Sequence, residues 1–139
     1  MVNYLNRRDF SCVGYDPAIP KFCKFPEQDF DSILCLDVLE HLMEHQVADI
    51  FQQMKEMNPK YILFHICHAK AVHKLPDGRN CHETVRPIVW WHDKMKRSFS
   101  GYSIRQLVQV DPRSSRWLIE HRDMQQSRLP DPKDPLQDQ

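Results

Sequence analysis

Two short apolar runs, Ser32-Ile33-Leu34-Cys35-Leu36 and Tyr61-Ile62-Leu63-Phe64-His65-Ile66, bracket a segment in which Val47, Ile50, Phe51, Met54 and Met57 recur at helical spacing. A continuous apolar run of strand length is what a strand covered on both faces requires, and the intervening periodicity is that of an amphipathic helix. Asp37, with Glu40 three residues on, reads as a capping pair, so a helix is expected from about Leu39 to Met57. Asn58-Pro59 ends it, because the residue before proline is pushed out of the helical region. Strand, helix and strand in this order predict a right-handed crossover with parallel strands, which confines the chain to the α/β class.

The flanking segments read less uniformly. Phe10 to Tyr15 suits a short buried strand stopped at Asp16-Pro17, whereas Ala18 to Gln28, with Pro20 and Pro26, is too proline-broken for a long helix. Leu75-Pro76-Asp77-Gly78-Arg79-Asn80 has turn chemistry and predicts a loop beyond the Tyr61 strand. Pro87 suits the first turn of a helix carrying Ile88, Trp91 and Met95 on one face, with Trp91 inside and Trp90 at the rim. Ser103 to Val110 and Arg116 to His121 predict two further strands joined at Asp111-Pro112. From Arg128 onward the chain is polar and proline-rich, which predicts a disordered tail after a single domain over residues 1–127.

A length of 139 residues suits one domain with a modest core. Lysine plus arginine equal aspartate plus glutamate at 19 each, which excludes the broad cationic field of sequence-independent nucleic-acid binders. A nucleic acid is therefore expected only as an acceptor met locally, for instance by Lys94, Lys96, Arg97, Arg105, Arg113 and Arg116. The five cysteines are odd in number, and several sit in apolar runs, which fits a reduced protein. No stretch has signal-peptide or membrane-span character, so a cytoplasmic protein without membrane contact is expected.

Asp16 and Asp37 each close an apolar run, and the carboxyl ends of parallel strands are where open α/β sheets hold nucleotide-like ligands. Together with these acids, the stretches Gly14-Tyr15-Asp16-Pro17, Phe30-Asp31 to Leu36, Asp37-Val38-Leu39-Glu40-His41 and Leu75 to His82 with Trp90-Trp91 give the chain its family likeness. It resembles a class I S-adenosylmethionine-dependent methyltransferase of the compact phage and bacterial kind, from about Val13 to Trp91. The resemblance implies a reduced Rossmann-like α/β fold with a mostly parallel sheet flanked by helices. It implies S-adenosyl-L-methionine as cofactor, with Asp16 receiving the ribose hydroxyls and Asp37 and Val38 facing the cofactor and the reacting centre. Asn80, His82 and Trp90 fall on the acceptor side, and His82 suits a general base near neutral pH. Glu40 and His41 belong to the same block, with Glu40 read as completing the cap and His41 as a hydrogen-bonding neighbour of the sheet.

The family's first strand and its glycine-rich loop have no counterpart, since the only glycines are Gly14, Gly78 and Gly101. The loop lets backbone amides approach the cofactor closely, so cofactor affinity is the point most affected by its absence. The absent strand would lie between the strands at Phe10 and Ser32, leaving unpaired edges that predict a homo-oligomer or a covering partner chain. Methyl transfer to an unidentified acceptor is the leading expectation, beside a non-catalytic remnant that binds or regulates a partner and an enzyme that degrades S-adenosylmethionine. His65, Cys67, His68, His73, Cys81 and His82 lack the close Cys-x-x-Cys pairs of zinc sites, and their spacing predicts no metal centre.

Overall fold

The computed structural model of the chain describes residues 1–107 and 112–126. Strands β1 (Ser32–Leu36), β2 (Tyr61–Cys67), β3 (Tyr102–Gln106) and β4 (Ser114–His121) form one sheet in the order β1-β2-β4-β3. Helices α1 (Val2–Asn6), α2 (Glu44–Glu56), α3 (Ile88–Ser98) and α4 (Arg122–Gln126) complete the fold. The crossover through α2 brings β1 and β2 together in parallel, with Ser32 opposite Tyr61 and Leu36 opposite His65. β4 is antiparallel to both of its neighbours.

The sheet is therefore mixed, which corrects the expectation of a mostly parallel one. The cause is connection length: the link from Gln106 to Ser114 is too short for a parallel crossover of a dozen residues, so β4 must return as the partner strand of a hairpin. It fills the gap between β2 and β3.

One face of the sheet carries the core. Ile62, Phe64 and Ile66 on β2 lie opposite Ile119, Trp117 and Ser115 on β4, and all six are buried. Val47, Phe51 and Met54 of α2, Trp91 and Met95 of α3, and Phe99 close over them. Phe51 meets Phe64 at 5.3 Å and Phe99 at 5.1 Å between ring centroids, within the range of favourable aromatic pairs. Trp91 is buried as its helical spacing predicts, while Trp90 stays partly exposed with its ring edge-on to Trp91.

The opposite face is half open. Leu34, Leu63 and Leu118 line up in one row across β1, β2 and β4, and Leu34 is 47% exposed. β1 is thus not covered on both faces as its unbroken apolar run suggests. It is an edge strand, and among the described residues no strand pairs with its outer side.

Three local expectations are also corrected. Phe10 to Tyr15 forms no strand, and Phe10, Val13 and Tyr15 are exposed. Its backbone is used locally instead: the Asn6 amide donates to the Cys12 carbonyl and accepts the Cys12 N–H at 2.8 Å. The helix after β1 begins at Glu44 rather than Leu39, because Leu39–His41 make a separate 3-10 turn and Leu42 is extended. The expected Asp37 and Glu40 cap does not form, and the N–H of Met43 is taken by Gln46 Oε1 instead. The final strands are found as β3 and β4, but residues 108–111, with the Asp111-Pro112 junction, and the tail from Arg128 lie outside the described residues.

Candidate functional site at the carboxyl ends of β1 and β2

β1 does not simply stop after Leu36. Asp37 continues its pairing by donating its N–H to the His65 carbonyl at 3.0 Å, then turns the chain with φ of +54°, a left-handed conformation that aspartate tolerates better than most residues. Its Oδ1 lies 3.1 Å from His65 Nδ1, yet its side chain is 60% exposed. A contact so open to water contributes little to stability, and the Asp37 carboxylate stays accessible at the strand end. Val38 beside it is 43% exposed.

The 3-10 turn that follows points inward. Leu39 and Glu40 are both fully buried. Glu40 Oε1 accepts the Cys67 N–H at 3.0 Å and so ties the end of β2 to the turn, while Oε2 is buried with no hydrogen-bond partner. A carboxyl oxygen removed from water without a hydrogen-bond partner is costly.

Residues between β2 and α3 fold back over this turn, and Asn80 organises them. Its Oδ1 accepts the N–H groups of Ala71 and His82 at 3.0 and 2.9 Å, and its Nδ2 donates to the Ala71 carbonyl at 2.8 Å. Thr84 donates its N–H to the Glu40 carbonyl and its hydroxyl to the Leu42 carbonyl, and Arg86 forms an ion pair with Glu44. His82 Nδ1 lies 2.6 Å from the Ala69 carbonyl and must carry a proton there, so in the neutral ring the lone pair is on Nε2. His41 repeats the arrangement, with Nδ1 at 2.9 Å from the Cys81 carbonyl, and its ring stands edge-on to His82 at 4.7 Å.

Donor atoms of Glu40, Cys67 and His82 all lie within 4.8 Å of one another. They come from the 3-10 turn, the end of β2 and the returning loop, separated by 27 and 15 residues in the chain. That separation hid the group from any spacing argument. The available signal was the polar pair Glu40-His41 set between Leu39 and Leu42.

The remaining anticipated residues fall elsewhere. Asp16 is not at a strand end: its Oδ1 accepts the Ala18 N–H at 2.9 Å and its carbonyl accepts the Ile19 N–H, the chemistry of a turn before proline. Asn80 is committed to backbone partners rather than open to an acceptor. Trp90 lies on α3 with the Arg86 guanidinium 5.8 Å and the Lys94 ammonium 5.6 Å from its ring centroid. A cleft of about 230 Å³ lined by Ile88, Val89, His92, Gln106 and Trp117 shares no residue with the group at the strand ends.

Two neighbouring groups have shifted proton affinities. Burial, with the charges of Glu40 and Asp37 adding to it, pushes the Cys35 thiol up to about 12. His68 is shifted down, chiefly by burial, and its Nε2 lies 2.6 Å from Ser115 Oγ, which also receives the Trp117 indole N–H at 2.6 Å.

An adenosyl cofactor needs a nucleoside cradle, and the described residues do not form one. Asp37 and Val38 are accessible at the end of β1, but Asp16 lies in a separate turn away from any strand end, with its Oδ1 on the Ala18 N–H. No glycine lies where a ribose-hugging loop would: Gly14 packs against Val2 and Phe22, while Gly78 and Gly101 serve turns at φ of +86° and +92°.

No family model matches the chain, and no curated protein matches it in sequence. Solved structures do match in fold. A complex of DhpI with SAH superposes with a TM-score of 0.53 at 14% identity, over 69% of this chain and 49% of that one. A chain of the Pnkp1/Rnl/Hen1 RNA repair complex gives a TM-score of 0.58 at 9% identity, over 85% of this chain and 34% of that one. The chain spans about half the length of the first and a third of the second. These likenesses show the fold alone, an α/β arrangement around a mixed sheet that the chain shares with part of each of those structures.

Proposed function

We propose that the chain is an S-adenosylmethionine-dependent methyltransferase-like protein, acting on an unidentified acceptor, whose described residues supply one wall of the site. The observation that carries the reading is an exposed acid, Asp37, at the carboxyl end of edge strand β1 in a methyltransferase-like fold. The wall that would hold the nucleoside lies on the open side of β1. Unpaired strand edges invite further strands, and the half-open leucine row favours a covering layer. We assign that cover to a second copy of the chain or to a partner chain.

This reading gives Asp37 and Val38 to the cofactor side and His82, with its fixed tautomer, to the acceptor side. Asp16 and Asn80 lose their ligand-facing roles, and Trp90 remains a rim residue. A cytoplasmic setting agrees with five free thiols, and no helix among the described residues is long and apolar enough to cross a membrane.

Titration calorimetry with S-adenosylmethionine and its demethylated product, run beside analytical ultracentrifugation, tests the reading. Binding is expected only in the associated state, weakened about tenfold or more by Asp37→Asn through loss of a charge-assisted contact. No binding in any state of association would leave a second reading, a non-catalytic module that docks on another protein. The place of Asp16 in a turn away from any strand end is what favours that alternative.

A further inference from the structure

We propose that Glu40, Cys67 and His82 form a mononuclear site for a divalent transition-metal ion of the zinc class. The proposal rests on this group alone and stands whether or not the chain binds an adenosyl cofactor. Its donor atoms already converge to within 4.8 Å of one another. In a tetrahedral site with metal–sulfur and metal–nitrogen bonds of ordinary length, donors sit roughly 3.5 Å apart, so side-chain movements of about 1 Å suffice.

Three features beyond proximity point to a cation. Glu40 is fully buried, and its Oε2 has no hydrogen-bond partner, a deficit that a metal bond removes. Its other oxygen is fixed by the Cys67 N–H, so the carboxylate cannot turn away to find a donor. His82 gives one ring nitrogen to the Ala69 carbonyl at 2.6 Å, the kind of outer bond that fixes the tautomer of a metal-binding imidazole. The His41 ring, anchored on the Cys81 carbonyl, buttresses it from the side.

The donor set selects the ion. Thiolate, imidazole and carboxylate together suit zinc or cobalt, whereas magnesium and calcium prefer all-oxygen shells. Three protein ligands leave one tetrahedral position for water or for an oxygen or nitrogen of an acceptor. Because the ligands come from the 3-10 turn, β2 and the returning loop, the ion would also pin that loop to the sheet, coupling metal affinity to local stability.

Cobalt titration of the metal-stripped, full-length protein tests the site. One equivalent per chain is expected, with a thiolate-to-cobalt charge-transfer band that zinc abolishes and magnesium leaves unchanged. Cys67→Ser should remove the band, and Glu40→Gln and His82→Asn should each weaken binding by more than about tenfold. Glu40→Gln retains the acceptor for the Cys67 amide, and circular dichroism of each variant separates ligand loss from unfolding. Zinc should also slow amide exchange between Ala71 and His82 in the wild-type chain. Failure to bind cobalt at micromolar concentration, or a band that survives in Cys67→Ser, would overturn the proposal.

Discussion

Cys35 and His68 both lie next to the strand ends, and burial favours the uncharged form of each, which raises the one pKa and lowers the other. Burial and two nearby carboxylates hold Cys35 in its thiol form, far from the reactive thiolate. Iodoacetamide at mildly alkaline pH should label exposed Cys23 in the native protein and leave Cys35 intact until denaturant is added, as read by peptide mass spectrometry. His68 is driven toward its neutral form, so the unfolded chain takes up a proton before the folded one does. The stability this lends is present above the ordinary histidine value of 6.5 and is lost as pH falls from there through the lower folded value. Urea midpoints should therefore drop between neutral pH and pH of about 5, and His68→Gln should flatten that part of the profile. Individual side chains differ in how far they could be read beforehand. Trp91 was legible as a core residue because helical spacing alone sets its face, but the burial of Glu40 arises from a loop forty residues downstream that closes over it.

Helices and strands were legible where local pattern and tertiary environment agree. α3 is such a case, and it makes a quantitative contrast between adjacent residues. Trp91→Ala should cost about 3–5 kcal/mol in chemical denaturation, as for other large core aromatics, while Trp90→Ala should cost less than half of that. β2 is another, since its apolar run truly sits between neighbours on both sides. The segment Phe10 to Tyr15 shows the opposite outcome: its apolar residues fit a strand, but no neighbour offers it a ladder, and Asn6 satisfies Cys12 first. The early start expected for α2 failed for a related reason. Periodicity from Val47 onward marked the helix well, but Asp37 keeps pairing with β2 and Glu40 is drawn inward, so neither is free to cap.

In the folded chain, the open edge of β1 and the leucine row are the surface where we propose that the fold meets another chain. If a second copy covers them, Leu34→Glu should shift sedimentation from dimer to monomer with little change in the unfolding midpoint, because Leu34 is already 47% exposed in the single chain. A wild-type protein that remains monomeric at every concentration would assign the cover to a different chain.

Short-range chemistry in the chain was enough to define the βαβ unit, the turn at Leu75 to Gly78 and the inward face of α3. Each depends on spacing or on one residue's backbone preference, which neighbours in sequence carry completely. The mixed sheet, the edge character of β1 and the meeting of Glu40, Cys67 and His82 arose only on folding. They depend on which distant segments satisfy one another's backbone groups and shut out water, and that competition has no local signature.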